Sequence, residues 1–304
     1  MFIEEHLQEL RRQRFAPRAI VTYARQVGAL ARAEALANPQ AVRSIWIFAL
    51  ACFIAAFLAA FWMSVAWDRD LAYRFFLDTS LWMLVAFGFV TAFVGLLRDA
   101  DGYRLPALNV PLALTLLRVA MVPGICLFLE ERHFHVAVAA YVLAALSDVF
   151  DGFIARRWHQ ITRLGTVLDP LVDIVFNLAM LWGLAASGLL AHWVFWVGTL
   201  RYAILVVGGA GLYLFVGPVT IRPTSFGRFT GVVMTSLIAL LTLLWALRSR
   251  MALSLTPLTE IALGVLLAAT TVQIVLVGWY NLRVMQGAAA AKRAVIDDVS
   301  WRAR

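Results

Sequence analysis

The chain reads as a series of long apolar runs separated by short polar stretches that carry most of its arginines. Eight runs stand out, at about residues 45–67, 81–97, 111–129, 134–155, 165–189, 193–214, 226–247 and 258–282. Each is near the roughly 20 residues a helix needs to cross about 30 Å of hydrocarbon. In lipid a chain must satisfy its own backbone hydrogen bonds, so runs of this length are predicted to be helices. The expected fold is all-α and polytopic, with a compact set of six spanning helices preceded by two additional ones. On this pattern the chain divides into an amphipathic helical tail at 1–44, two additional spans within 45–97, a six-helix unit at 105–285 and a second tail at 286–304.

Residues 1–44 mix Leu7, Leu10, Arg11 and Arg14 at helical spacing and are interrupted near Pro17. They are expected to form one or two amphipathic helices lying at the membrane interface. This segment is polar and arginine-rich, so no cleavable signal peptide is expected.

Composition sharpens the membrane reading. The 304 residues are 62% hydrophobic and 14% charged, with a mean hydropathy of +0.83, whereas a soluble domain is usually about 25% charged. The net charge is +8, and all but one of the 26 basic residues are arginine, Lys292 being the exception. Lysine-based chemistry within the membrane is therefore excluded. The basic balance points to topology and anionic lipid rather than to nucleic acid. With both termini placed in the cytoplasm, 19 Lys and Arg fall on the cytoplasmic side and five outside, while Arg118 and Arg201 lie within spans. That bias predicts a multi-pass protein of the cell (inner) membrane with both ends inside. Cys52 and Cys126 sit in apolar runs and read as small buried hydrophobes rather than as a disulfide or metal pair.

One stretch departs from the apolar pattern. Residues 147–177, SDVFDGFIARRWHQITRLGTVLDPLVDIVFN, bring four aspartates into two predicted spans. Asp148 and Asp151 are spaced i, i+3, and Asp169 and Asp173 are spaced i, i+4, so each pair shares one face of its helix. The short loop between predicts antiparallel neighbours whose pairs face each other at one depth. A carboxylate deep in a spanning helix costs on the order of 3 kcal/mol, so four cost roughly 10 kcal/mol if uncompensated. With no lysine nearby they call for cations, and hard oxygen donors favour Mg²⁺ or Mn²⁺, two ions suiting the charge. Gly152, Ala155 and Gly165 leave room beside the acids for a nucleotide or diphosphate. Arg156 can fork onto phosphate oxygens, whereas Arg157 reads as a topology charge.

The spacing Asp148-x2-Asp151-Gly152-x2-Ala155-Arg156-x8-Gly165-x3-Asp169-x3-Asp173 resembles, at every defined position, the signature of the CDP-alcohol phosphotransferase (CDP-alcohol phosphatidyltransferase) family. The resemblance covers about residues 105–285. It implies transfer of a phosphatidyl or other phosphoalcohol group from a CDP-linked lipid, such as CDP-diacylglycerol, to the hydroxyl of an alcohol acceptor, with release of CMP, in phospholipid biosynthesis. It further implies that Asp148, Asp151 and Asp169 bind metal, and that Asp173 completes the site and acts as general base. Gly152, Ala155, Arg156 and Gly165 are then expected against the CDP-lipid, in a homodimer whose sites open to the cytoplasm.

Further candidates lie outside the signature. Asn109, Thr115 and Arg118, in LNVPLALTLLRVAMVP, resemble the opening of the first core helix in phosphatidylglycerophosphate synthase-like members. An arginine within a span seeks an anion or carboxylate. Arg201 resembles an arginine that relatives pair with a following acid, although Tyr202 follows here. Arg222 and Arg228, in IRPTSFGRFTG, resemble a loop where relatives hold a phosphate-bearing acceptor. Thr115, Arg118, Arg201, Arg222 and Arg228 are therefore candidate acceptor or phosphate contacts. His159 and the tryptophans Trp67, Trp82, Trp193 and Trp279 read as interfacial residues.

The Asp169-Pro170 pair resembles the glycerol-3-phosphate-using branch. Two departures, Ile174 in place of a lysine and Tyr202 in place of an acid, keep inositol phosphate, serine, phosphatidylglycerol or a headgroup such as choline open as acceptors. Two other classes compete. An intramembrane prenyltransferase also uses acidic motifs and Mg²⁺, but on helices far apart in sequence. A cation transporter also carries membrane carboxylates, but with repeated halves and broken helices, which this chain does not display.

Overall fold

The computed structural model describes residues 15–215, 225–247 and 250–302. Among them the elements run α1 (Pro17–Ala37), α2 (Pro39–Ala66), α3 (Arg69–Ala92), a 3₁₀ turn (Val94–Leu96), α4 (Val110–Glu130), α5 (Phe134–Arg157), α6 (Arg163–Ala186), α7 (His192–Phe215), α8 (Ser225–Ala246) and α9 (Arg250–Arg302). The helices α2 to α9 are each long and apolar enough to cross a membrane. The chain is an all-helical, polytopic membrane protein.

Side-chain chemistry explains where the helices begin. Asn38, Asp68, Asn109 and Thr162 each stand just before a helix and accept a backbone N–H of its first turn, satisfying donors that have no partner within the helix. Pro39 and Pro111 occupy first-turn positions, where a missing N–H costs nothing.

The last six helices close into a ring. α4 packs on α5, α5 on α8, α8 on α9, α9 on α7, α7 on α6, and α6 back on α4. The two additional spans lie outside, α3 docked on α4 and α2 on α3. α4 is the pivot: 67% of its spanning window is buried, against at most 33% in any other span.

The second span differs from its sequence reading. Its apolar run starts near residue 81, but the helix starts at Arg69, because Asp68 caps it with a 2.8 Å bond from Asp70 N–H. The polar first turns continue the helix beyond the apolar run. There Arg74 reaches the end of α4, pairing with Glu131 and, at 3.4 Å, with Glu130. The last span behaves likewise, its helix running from Arg250 to Arg302 around an apolar stretch of Leu255–Tyr280.

The early start of α3 also moves Trp82, expected at an interface, to mid-helix. Its indole N–H donates to the Val119 carbonyl of α4 at 2.9 Å. That carbonyl is available because Pro123, four residues on, has no N–H to offer it. Replacing Trp82 with phenylalanine leaves this buried acceptor without a donor. The expected loss is about 1–3 kcal/mol, seen as a lower melting temperature in detergent with the helix content unchanged.

The amphipathic tail begins its described helix at Pro17, where the sequence predicts an interruption. Leu7, Leu10, Arg11 and Arg14 lie outside the described residues. The far end of α1 is fastened to the turn that leads into the ring. Glu34 pairs with Arg98 at 3.3 Å and with Arg104 at 2.8 Å, and Asn38 Nδ2 donates to the Leu105 carbonyl at 2.9 Å.

Candidate active site

The four aspartates meet at one end of the ring, but not as two helices packed face to face. α5 and α6 are antiparallel, yet α4 packs on both of them and they do not pack along each other. The short connection 158–162 holds their ends together while a shared third helix splays the rest. The gap is filled from α4 by Thr115 and Arg118, both buried. Thr115 Oγ1 lies 3.2 Å from Asp151 Oδ2, 3.3 Å from Asp169 Oδ1 and 3.1 Å from the Pro111 carbonyl. Its single proton serves one of these acceptors at a time.

Arg118 joins the two acid pairs across the gap. Its Nη1 donates to Asp148 and, at 3.0 Å, to Asp173, and its Nη2 lies 3.8 Å from Asp151. The guanidinium is 4% exposed, whereas the side chains of Asp148 and Asp173 are about half exposed, at 50% and 54%. Asp151 is buried. The cluster therefore has a closed floor, made by α4, and an open face on α5 and α6. Pro170 follows Asp169 inside α6, and Asn177 Nδ2 donates to the Asp173 carbonyl at 2.7 Å.

Beside the acids is a cavity of about 190 Å³, lined by Gly152, Ala155, Arg156, Gly165 and Asp169 together with Pro111, Leu112, Thr115, Gln160, Ile161, Thr162 and Thr166. All four small or basic residues of the signature thus border one space. Two glycines form close points of its wall. A Cβ on Gly152 stands 3.2 Å from Arg156 Nη1, and one on Gly165 stands 3.1 Å from Thr162 Oγ1. The Thr162 hydroxyl accepts the Gly165 N–H at 3.0 Å, and Asn109 Nδ2 donates to the Gln160 carbonyl at 2.8 Å. These bonds fix the start of α6 and pin the 158–162 connection to the start of α4. Gln160, Thr162 and Thr166 were not among the sequence candidates. A threonine three residues before Gly165, in capping position, is the signal that points to Thr162.

The remaining candidates are placed differently. Arg201 Nε donates to Thr270 Oγ1 at 2.8 Å, and its guanidinium lies 4.5 Å from the centre of the Tyr202 ring. Its Nη1 is buried without a hydrogen-bond partner. Arg222 lies outside the described residues. Arg228 falls on α8, and its side chain lies outside them too.

This constellation, an acid cluster opening beside a cavity of about 190 Å³ at one end of a membrane-embedded helical ring, defines an integral-membrane enzyme. The sequence profile of the CDP-alcohol phosphatidyltransferase family matches residues 108–275, and the chain belongs to that family. The match takes in α4 to α8 and the spanning part of α9 as far as residue 275. A CDP-diacylglycerol–glycerol-3-phosphate 3-phosphatidyltransferase of Aquifex aeolicus is 34% identical over 125 residues, 40% of this chain and 69% of the relative. The protein of that name from Sodalis glossinidius is 37% identical over 143 residues, 45% of this chain and 78% of the relative. A cardiolipin synthase (CMP-forming) of Rattus norvegicus is 42% identical over 68 residues, 22% of each chain. No solved structure gives a significant match.

The family is generally dependent on divalent metal. The donors present fit such an ion: four carboxylates with a single guanidinium among them leave an excess of negative charge on hard oxygens. Among the described residues no three His, Cys, Asp or Glu side chains stand as a ready metal cage. Arg118 and Thr115 occupy the space between the pairs.

Proposed function

We propose that the protein transfers the phosphatidyl group of CDP-diacylglycerol to the hydroxyl of glycerol-3-phosphate, releasing CMP, as a step of phospholipid synthesis. The observation that carries this reading is the convergence of the whole signature on one cluster and one adjoining cavity. The acceptor is supported by the names of the Aquifex and Sodalis relatives. The catalytic unit is 105–285, with 1–44 and 286–304 as cytoplasmic tails and 45–97 as additional spans. The 19-to-5 bias of basic residues supports cytoplasmic ends and a site opening to the cytoplasm. The family resemblance supports a homodimer, which light scattering in detergent tests by mass.

Each residue has a task in this reading. Asp148, Asp151 and Asp169 hold one or two Mg²⁺ or Mn²⁺ ions, and Asp173 completes the set. Bound metal supplies charge neutralisation and polarisation of the diphosphate. The CDP moiety lies in the cavity against Gly152, Ala155 and Gly165, with Arg156 forking onto a phosphate oxygen. Asp173, half exposed, takes the proton of the acceptor hydroxyl. The acceptor oxygen then bonds to the lipid-side phosphorus as the bond from that phosphorus to CMP breaks. Arg201, Arg222 and Arg228 are the candidates for the acceptor's phosphate.

Purified protein supplied with CDP-diacylglycerol, Mg²⁺ or Mn²⁺ and a panel of acceptors tests the reading through CMP release. Release is expected with glycerol-3-phosphate, is abolished by a chelator and returns when metal is restored. Release only with phosphatidylglycerol, inositol phosphate or serine reassigns the acceptor. No release with any of them removes the proposed reaction.

A further inference from the structure

We propose that Arg118 is a resident counter-cation of the acid cluster, and that it competes with the divalent ion and so sets how tightly the site takes metal. This rests on the metal reading above. Arg118 is the one basic side chain within ion-pair reach of the cluster among the described residues, touching Asp148, Asp151 and Asp173 from two different helices. Its guanidinium is almost wholly buried, and its Nε has no hydrogen-bond partner. A fork held this deep, with one donor unpaired, is placed for charge rather than for complete hydrogen bonding. Without it, four carboxylates at the edge of a low-dielectric medium repel one another with no cation between them.

The carboxylate oxygens that Arg118 engages, on Asp148, Asp151 and Asp173, are also the hard donors a divalent ion needs. A guanidinium and a dication drawn to the same oxygens repel each other at short range. Occupancy by one therefore weakens the other, and the coupling is a property of affinity, readable without turnover. Couplings between ligands of this kind commonly amount to about 5–150-fold. Arg118 acts through the aspartates and is a positioning residue.

The test uses the full chain in detergent, with Mn²⁺ alone as probe. Binding is followed by calorimetry or by the resonance signal of free Mn²⁺, and stability by thermal unfolding with and without the ion. Arg118→Gln is expected to bind Mn²⁺ about tenfold tighter than the wild type, to melt lower without metal, and to gain more on adding it. Arg118→Lys keeps one charge but cannot span both pairs. It is expected to restore most of the metal-free melting temperature and to bind Mn²⁺ about threefold tighter than the wild type. If Arg118→Gln does not fold, the lysine variant decides on affinity alone. Unchanged or weaker Mn²⁺ binding in the variants, beside normal binding in the wild type, overturns the counter-cation role. A wild type that binds no Mn²⁺ overturns the metal reading itself, and this proposal with it.

Discussion

Asp173→Asn is expected to lower turnover by about 10²–10⁴-fold, the usual worth of a positioned general base, while CDP-lipid binding stays close to that of the wild type. Asparagine keeps the shape of the side chain and can still meet Arg118. It cannot take a proton at neutral pH. Asp173 is suited to contact an acceptor because its side chain is half exposed, whereas Asp151 is buried behind Thr115. The loss should fall on kcat, since the cavity wall that is to receive the nucleotide is untouched. CMP release under saturating CDP-lipid, set beside direct binding of the lipid, separates the two effects. Near-normal turnover would show that another group carries the proton.

Gly152→Leu is expected to act in the opposite way. Gly152 lines the cavity, and even a Cβ there comes within 3.2 Å of Arg156 Nη1. A leucine side chain takes up a large part of a space of about 190 Å³ and pushes Arg156 from its place. The expected result is a KM for CDP-lipid raised about 10–100-fold, equivalent to about 1.4–2.8 kcal/mol of lost binding. The kcat of the remaining saturable fraction should fall much less. Melting temperature should hold, because the new side chain enters a cavity rather than a packed interior. An unchanged KM would place the nucleotide elsewhere. Together the two variants divide the site into a part that reacts and a part that binds.

Much of this architecture was legible in the sequence, for identifiable reasons. Eight apolar runs mark eight spans because lipid leaves a chain few other options. The spacing of the acids fixes which faces of α5 and α6 they occupy, whatever the packing. Sequence pattern did not reveal the ends of α3 and α9, because hydropathy reports the extent of hydrocarbon and a helix continues into water when its first turns are capped and charged. Nor did it reveal that α4 stands between the acid-bearing helices. A short loop fixes the proximity of two helix ends, but it says nothing of a third helix inserted from earlier in the chain. For the same reason the contacts of Thr115 and Arg118, and the bond from Trp82 to Val119, leave no mark in the sequence. The clasp of Glu34 with Arg98 and Arg104 left no pattern at all, since ion pairs about 64–70 residues apart carry no periodic signal.

Prolines set the mechanical character of the acid-bearing pair. Pro170 denies the Thr166 carbonyl its helical N–H, so α6 is one rung short between Gly165 and Asp173. α5 contains no proline, and its ladder can run unbroken past Asp148 and Asp151. The two walls of the cleft therefore differ in their backbone hydrogen bonding. The missing bond lies within a turn of Asp169 and Asp173, whereas no proline interrupts the ladder beside Asp148 and Asp151. Backbone amide exchange is therefore expected to be faster around Thr166–Pro170 of α6 than around Asp148–Asp151 of α5.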